Sequence, residues 1–126
     1  MSRLRLDHIG IAVRDLDEAL RLWRDALGAH VEEVERVEGD GVRVAFLDTG
    51  GGKTELLEPT RDDSPVARFL DRGGNGIHHV AYRVKHLDRV LEQLKEAGVA
   101  LIDESPRPGS RDTRVAFLHP RGTGGS

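Results

Sequence analysis

One pentapeptide constrains the fold more than any other feature: Arg43-Val44-Ala45-Phe46-Leu47 returns letter for letter as Arg114-Val115-Ala116-Phe117-Leu118, 71 residues on. The same offset relates His8 to His79, Val13 to Val84, Leu16 to Leu87, Asp17 to Asp88 and Leu20 to Leu91. One register threading a strand, a helix and a second strand implies two copies of a single supersecondary unit, each too small to bury its own apolar face. Leu4 to Val13 alternates as a half-buried strand does, with Ile9, Ile11 and Val13 on one face and Leu6, His8, Gly10 and Ala12 on the other. A helix is expected at about 15–27, with Asp15 as N-cap, Glu18 three residues on, a stripe of Leu16, Leu20, Trp23 and Leu27, and Gly28 as the stop. Strands at about 31–37, 42–48 and 53–58 complete a βαβββ unit. The second copy supplies a strand at about 77–84, a helix at about 86–97 and strands at about 99–103 and 113–118. Ser64 before Pro65 predicts a short helix in the linker at about 59–76.

The class expected is α+β. A single domain over 1–126 holds repeat one at about 3–58, the linker, and an incomplete repeat two at about 77–126. Its two units form a curved, half-barrel-like sheet around a concave face, the kind of surface ligands prefer. The register puts the counterpart of Glu55 near position 126, where the chain has Ser126, so the last strand is expected to be absent from this chain.

Composition narrows the function. The chain of 126 residues carries 19 Lys and Arg against 22 Asp and Glu, a formal net charge of −3, with no basic block to meet nucleic acid or an anionic membrane. It has no cysteine, which excludes disulfides, thiolate metal sites and cysteine nucleophiles. Met1-Ser2-Arg3-Leu4-Arg5-Leu6-Asp7 lacks the apolar core of a signal peptide, and no apolar run reaches the roughly 20 residues of a spanning helix. A soluble, cytoplasmic protein is expected.

Of six histidines, His8 and His79 are set apart by the repeat and by their faces. His8 shares its side of the strand with Gly10 and Ala12, and His79 shares its side with Ala81, which leaves room above each imidazole for a metal or substrate. The opposite faces, Ile9/Ile11/Val13 and Val80/Tyr82/Val84, suit packing beneath a helix. His78 lies on the bulky face and has no histidine counterpart, since position 7 is Asp; it reads as a supporting or structural residue. His30, His86 and His119 fall near element ends and read as surface or turn residues. Divalent metals want carboxylates beside imidazoles. Glu55 is the best candidate, because a carboxylate among apolar strand residues is costly unless paired or coordinated, whereas Glu58 beside Pro59 reads as solvated.

These residues give the chain a resemblance. Leu6-Asp7-His8-Ile9-Gly10-Ile11-Ala12-Val13, Gly41-Val42-Arg43-Val44-Ala45-Phe46-Leu47 and Thr54-Glu55-Leu56-Leu57-Glu58-Pro59 are similar to the vicinal-oxygen-chelate (glyoxalase/bleomycin resistance/extradiol dioxygenase) superfamily. Three more stretches point within it to the methylmalonyl-CoA epimerase family: Asp63-Ser64-Pro65-Val66-Ala67-Arg68-Phe69-Leu70, Gly76-Ile77-His78-His79-Val80-Ala81-Tyr82, and His119-Pro120 with Gly124-Gly125. The resemblance implies a divalent cation (Co, Mn, Mg or Zn) held by His8, Glu55 and His79, with a fourth ligand about three residues beyond Ser126. It implies interconversion of (R)- and (S)-methylmalonyl-CoA by α-proton transfer through a metal-stabilised enolate, an acyl-CoA substrate and a homodimer. It also implies an acid/base Glu just ahead of Gly41-Val42; Gly39 stands there, which leaves Glu38 or Asp40 as catalytic candidates or as ordinary turn residues. The coenzyme A tail needs cations; Arg72, Arg107, Arg111 and Arg121 lie in expected loops, and none is assigned. A glyoxalase-like lyase, an extradiol dioxygenase with Fe²⁺ on two histidines and one carboxylate, and a metal-free small-molecule-binding module remain alternatives.

Overall fold

The computed structural model describes residues 4–74 and 76–123. Gly124, Gly125 and Ser126, where the register placed the counterpart of Glu55, lie outside the described residues, as do Met1, Ser2 and Arg3. The chain divides into two compact units, one of residues 6–82 and one of residues 83–123 with Leu4 and Arg5.

The first unit holds β1 (Arg5–Ala12), α1 (Leu16–Leu20), β2 (His30–Val37), β3 (Val42–Asp48), β4 (Lys53–Pro59), α2 (Pro65–Gly73) and β5 (Gly76–Arg83). The strands form one mixed sheet in the order β2-β3-β4-β1-β5. β1 lies parallel to β4, with Gly10 opposite Glu55, and β3 runs antiparallel to both β2 and β4. The α+β class read from the sequence is the class observed.

Each sheet face has its own core. Ile11, Val13, Ala45, Leu47 and Leu56 pack against Leu16, Leu20 and Trp23, so the bulky face of β1 lies beneath the first helix as expected. On the other face Ala12, Val42, Val44, Phe46 and Leu57 pack against Val66 and Leu70 of α2. Asp15 caps α1, its side chain accepting from the Glu18 amide. The expected 15–27 helix stays α only to Leu20; Arg21–Ala26 is a π-turn in which the Leu27 amide reaches back to the Leu22 carbonyl. Pairing one residue further back rotates Leu27 off the stripe, and it is 64 % exposed. The expected cover over β5 is also absent: Val80 and Tyr82 are exposed. Glu58, expected to be solvated, instead accepts from the Leu16 amide at 2.7 Å and pairs with Arg43 at 3.1 Å, which ties the start of α1 to the sheet.

The second unit holds α3 (Leu87–Glu96) and a ribbon of β6 (Arg107–Pro108) with β7 (Arg114–Val115). The strand expected at 99–103 is reduced to one bridge between Leu101 and Leu118. Asp103 explains part of this, since its carboxylate takes the Phe117 amide at 2.8 Å and so occupies a donor that a ladder would use.

Ser64 is fully buried and works at both ends: its hydroxyl accepts from the Val66 amide and donates to the Asp40 carbonyl. Ser64→Ala leaves both backbone groups short of a partner. Urea denaturation is expected to show a loss of about 1–3 kcal/mol.

Candidate metal centre and active site

The site is built on the face of the sheet shared by His8, Gly10 and Glu55. Registry does this: Gly10 and Glu55 are partners across β1 and β4, so their side-chain positions share a face, and His8 lies two residues back on the same side. β5 then brings His79 over β1. A Cβ on Gly10 would sit 2.4 Å from His79 Cε1 and 2.8 Å from both ring nitrogens. The small-residue face was expected to leave room for a ligand. Instead the His79 imidazole itself fills the space over Gly10, and Ala12 is sealed into the core beneath α2.

His8 Nδ1 lies 2.7 Å from Asp7 Oδ2 and 3.1 Å from Glu55 Oε2. Its Nε2 faces His79 Nε2 at 2.9 Å, with the rings edge to face. His79 Nδ1 in turn lies 3.0 Å from His78 Nδ1, and His78 rests its ring edge to face on Phe69 of α2 at 5.0 Å. Asp7 and His78 are themselves 71 residues apart, so the position before each repeat histidine supplies the partner for that histidine's Nδ1. Such partners set the tautomer of a ligating imidazole. With His8 donating Nδ1–H to Asp7 and His79 donating Nδ1–H to His78, both Nε2 lone pairs point at the same place.

Burial, reinforced by the facing imidazoles of His8 and His78, pushes His79 down to about 3, and burial also lowers His78. His79 is therefore held as a neutral imidazole, the form that binds metal. Glu55 is 8 % exposed among apolar neighbours, as its strand context required. Asp7, His8 and Glu55 each offer a ligand atom within 4.8 Å of the others. Asp7 is the functional residue missed in the sequence; its signal was that it occupies the repeat position of His78.

The structure brings together His8, Glu55 and His79, and it leaves the two acid/base candidates elsewhere. Glu38 and Asp40 lie in a one-turn 3-10 segment that leads into Val42, which pairs with Pro59. Pro59 is four residues from Glu55 along β4, about 13 Å at 3.3 Å per residue. Glu38 is exposed and bound to Arg36 at 2.7 Å, while the Asp40 carbonyl receives Ser64. His30 and His86 are exposed, and His119 caps a short 3-10 turn, accepting from the Arg121 amide. Arg72, expected in a loop, sits in the last turn of α2 and lines a cavity of about 280 Å³ with Pro65, Arg68, Phe69 and His78.

The profile of the Glyoxalase/Bleomycin resistance protein/Dioxygenase superfamily matches residues 7–117, and the chain belongs to that superfamily. The chain is 39 % identical over 119 residues to the ethylmalonyl-CoA/methylmalonyl-CoA epimerase of Cereibacter sphaeroides, covering 93 % of this chain and 89 % of that protein. Its fold matches the crystal structure of methylmalonyl-CoA epimerase from Mycobacterium tuberculosis with a TM-score of 0.90 at 38 % identity, over 96 % of this chain and 82 % of the other. A methylmalonyl-CoA epimerase in complex with methylmalonyl-CoA and NH4+ matches with a TM-score of 0.89 at 39 % identity, over 96 % and 88 %. Within the superfamily the chain is an enzyme of the epimerase branch, an isomerase.

Two outcomes follow from this geometry. Gly10→Ala forces the His79 ring away from His8 and is expected to weaken metal binding at least tenfold by titration calorimetry, with the fold retained by circular dichroism. In chelator-treated protein, a buried imidazole held at about 3 but free to titrate near 6.5 when unfolded favours the folded state fully above pH 6.5. Stability should then fall as the pH drops from 6.5 towards 3, and His79→Gln should flatten that fall in urea denaturation.

Proposed function

We propose that this enzyme epimerises methylmalonyl-CoA or a close 2-alkylmalonyl-CoA thioester, moving the proton on the carbon between the thioester and the carboxylate. The observation that carries the reading is the convergence of His8, Glu55 and His79 on one sheet face, in a chain whose relatives are epimerases of that substrate class.

The three residues fit a divalent cation. Two nitrogens on neighbouring positions of an octahedral ion, with bonds of about 2.1 Å, lie about 3.0 Å apart, and the two Nε2 atoms lie 2.9 Å apart. Two imidazoles and one carboxylate suit a hard or borderline ion such as Mg²⁺, Mn²⁺, Co²⁺ or Zn²⁺. When bound, such an ion supplies a Lewis acid for the negative charge that develops on the substrate oxygens as the α-proton leaves. The protein's own groups set up that chemistry. Asp7 and His78 hold the two imidazoles in the required tautomers. Burial keeps His79 neutral, and the low exposure of Glu55 preserves the strength of its charge. The guanidinium groups of Arg68 and Arg72 beside the His78 end of the site suit the anionic tail of an acyl-CoA. The same reading includes a homodimer, supported by the exposed Ile77, Val80 and Tyr82 on the edge strand β5. Among the described residues no helix is long and apolar enough to cross a membrane.

The test is isotope exchange. With Co²⁺ or Mn²⁺ added, the protein should introduce deuterium from D2O at the α-carbon of methylmalonyl-CoA and racemise it, and His79→Ala should abolish both. Absence of exchange in the metal-loaded protein would refute the reading, and turnover of a hemithioacetal or a catechol in its place would move the chain to another branch of the superfamily. Glu38→Gln is expected to change the rate less than twofold, since Glu38 is committed to Arg36 at the far end of β3.

A further inference from the structure

Inverting a carbon centre needs a proton acceptor on one face and a donor on the other, and neither Glu38 nor Asp40 stands with the imidazoles. One acidic side chain on the site's own face is unexplained. Glu35 of β2 has a fully buried Oε2 that takes no hydrogen bond among the described residues. Leaving a carboxylate oxygen dry and unpartnered is costly, and native proteins keep such groups where they have work to do. Nothing in the packing of the sheet asks for an acid there: its cross-strand partner is Val44, and the neighbour two residues on is Val37.

Strand register fixes the direction in which Glu35 points. Directly opposed residues of an antiparallel pair share a face, so Glu35 shares one with Val44. Val44 shares it with Phe46 two residues on, Phe46 with its partner Glu55, and Glu55 with Gly10 and hence His8. Glu35 therefore stands on the same face as the candidate metal ligands, two strands away from Glu55 and two residues along. Strand spacings of about 4.8 Å and 3.3 Å per residue put the Glu35 and Glu55 Cα atoms about 12 Å apart. Two glutamate side chains reaching towards each other across that span leave room for a small acyl group between them.

We propose that Glu35 is a catalytic acid/base residue of the epimerase, acting on one face of the substrate's α-carbon. The inference rests on the epimerase reading above. In the forward direction the Glu35 carboxylate takes the α-proton. The C–H electron pair moves into the bond to the thioester carbon, and its negative charge appears on the thioester oxygen. A donor on the opposite face then delivers a proton to the same carbon and leaves the inverted epimer. In the reverse direction protonated Glu35 is the donor. No electrons are gained or lost and one proton is exchanged for another.

The experiment compares wild type, Glu35→Gln and Glu35→Asp in the full chain, loaded with Co²⁺, each mixed with single epimers of methylmalonyl-CoA in D2O. Glu35→Gln keeps the side-chain shape, removes the acid/base group and relieves a buried charge, so it should be at least as resistant to urea as wild type and hold the same metal content. Its epimerisation rate is expected to drop 100-fold or more with KM within about threefold. It should still wash deuterium into one epimer, the one facing the remaining base, and lose washout of the other. Glu35→Asp should recover part of the lost rate. A merely structural residue would not split the two epimers in this way. If Glu35→Gln epimerises within threefold of wild type, or loses washout from both epimers together with its metal, the assignment is overturned. If wild type itself exchanges neither epimer, the epimerase reading fails and the role of Glu35 in it fails as well; the wild-type arm tells the two failures apart.

Discussion

The ring of His79 lies where a side chain at position 10 would be, and the geometry of the site depends on that contact. With hydrogen in place of a Cβ at Gly10, β5 can lay an imidazole across β1 and bring its Nε2 to 2.9 Å from that of His8. A methyl group there would overlap three ring atoms, and close-packed interiors have no slack to absorb such an overlap cheaply. From this contact follow the burial of His79, its neutral state, and the convergence of two nitrogen lone pairs on one point.

The two halves of that convergence are supported unequally. His8 faces carboxylates, Asp7 and Glu55, at its Nδ1, and a negative partner strengthens an imidazole as a donor to metal. His79 faces another neutral imidazole, His78, which Phe69 holds from α2. The repeat thus provides matched ligands with unmatched partners. α2 serves twice, sealing the Ala12 end of the face with Val66 and Leu70 and bracing the site through Phe69. Its own position is set from below by Ser64 and its bond to the Asp40 carbonyl.

Much of this was legible in the residues. The alternation of β1, the cap at Asp15, the Ser64-Pro65 start of α2 and the three strands that follow the first helix are local signals, and each appears where the pattern put it. His8 and His79 were legible because a repeat register is a statement about space as well as sequence, and Glu55 because an acid in an apolar strand requires a reason. Asp7 was not, since a strand residue beside a histidine points by alternation to the other face, and its contact with the His8 ring depends on side-chain torsions that no spacing encodes. The role of Glu58 was hidden for a different reason: its partner, the Leu16 amide, is 42 residues away.

The clearest division is within the repeated pentapeptide. The sequence by itself determined the local tendencies: the order of strands and helices, the cap residues, the two special histidines and the α+β class. Only the tertiary structure decided what those tendencies became. Arg43–Leu47 is a buried strand because β2 and β4 flank it on both sides and satisfy both rows of backbone groups. The same five residues at 114–118 pair, among the described residues, only at Arg114, Val115 and Leu118, and Asp103 takes the Phe117 amide. Identical letters give a seven-residue strand in one place and a two-residue ribbon in the other, because a β-strand is stabilised by its neighbours, and neighbours are a property of the whole fold.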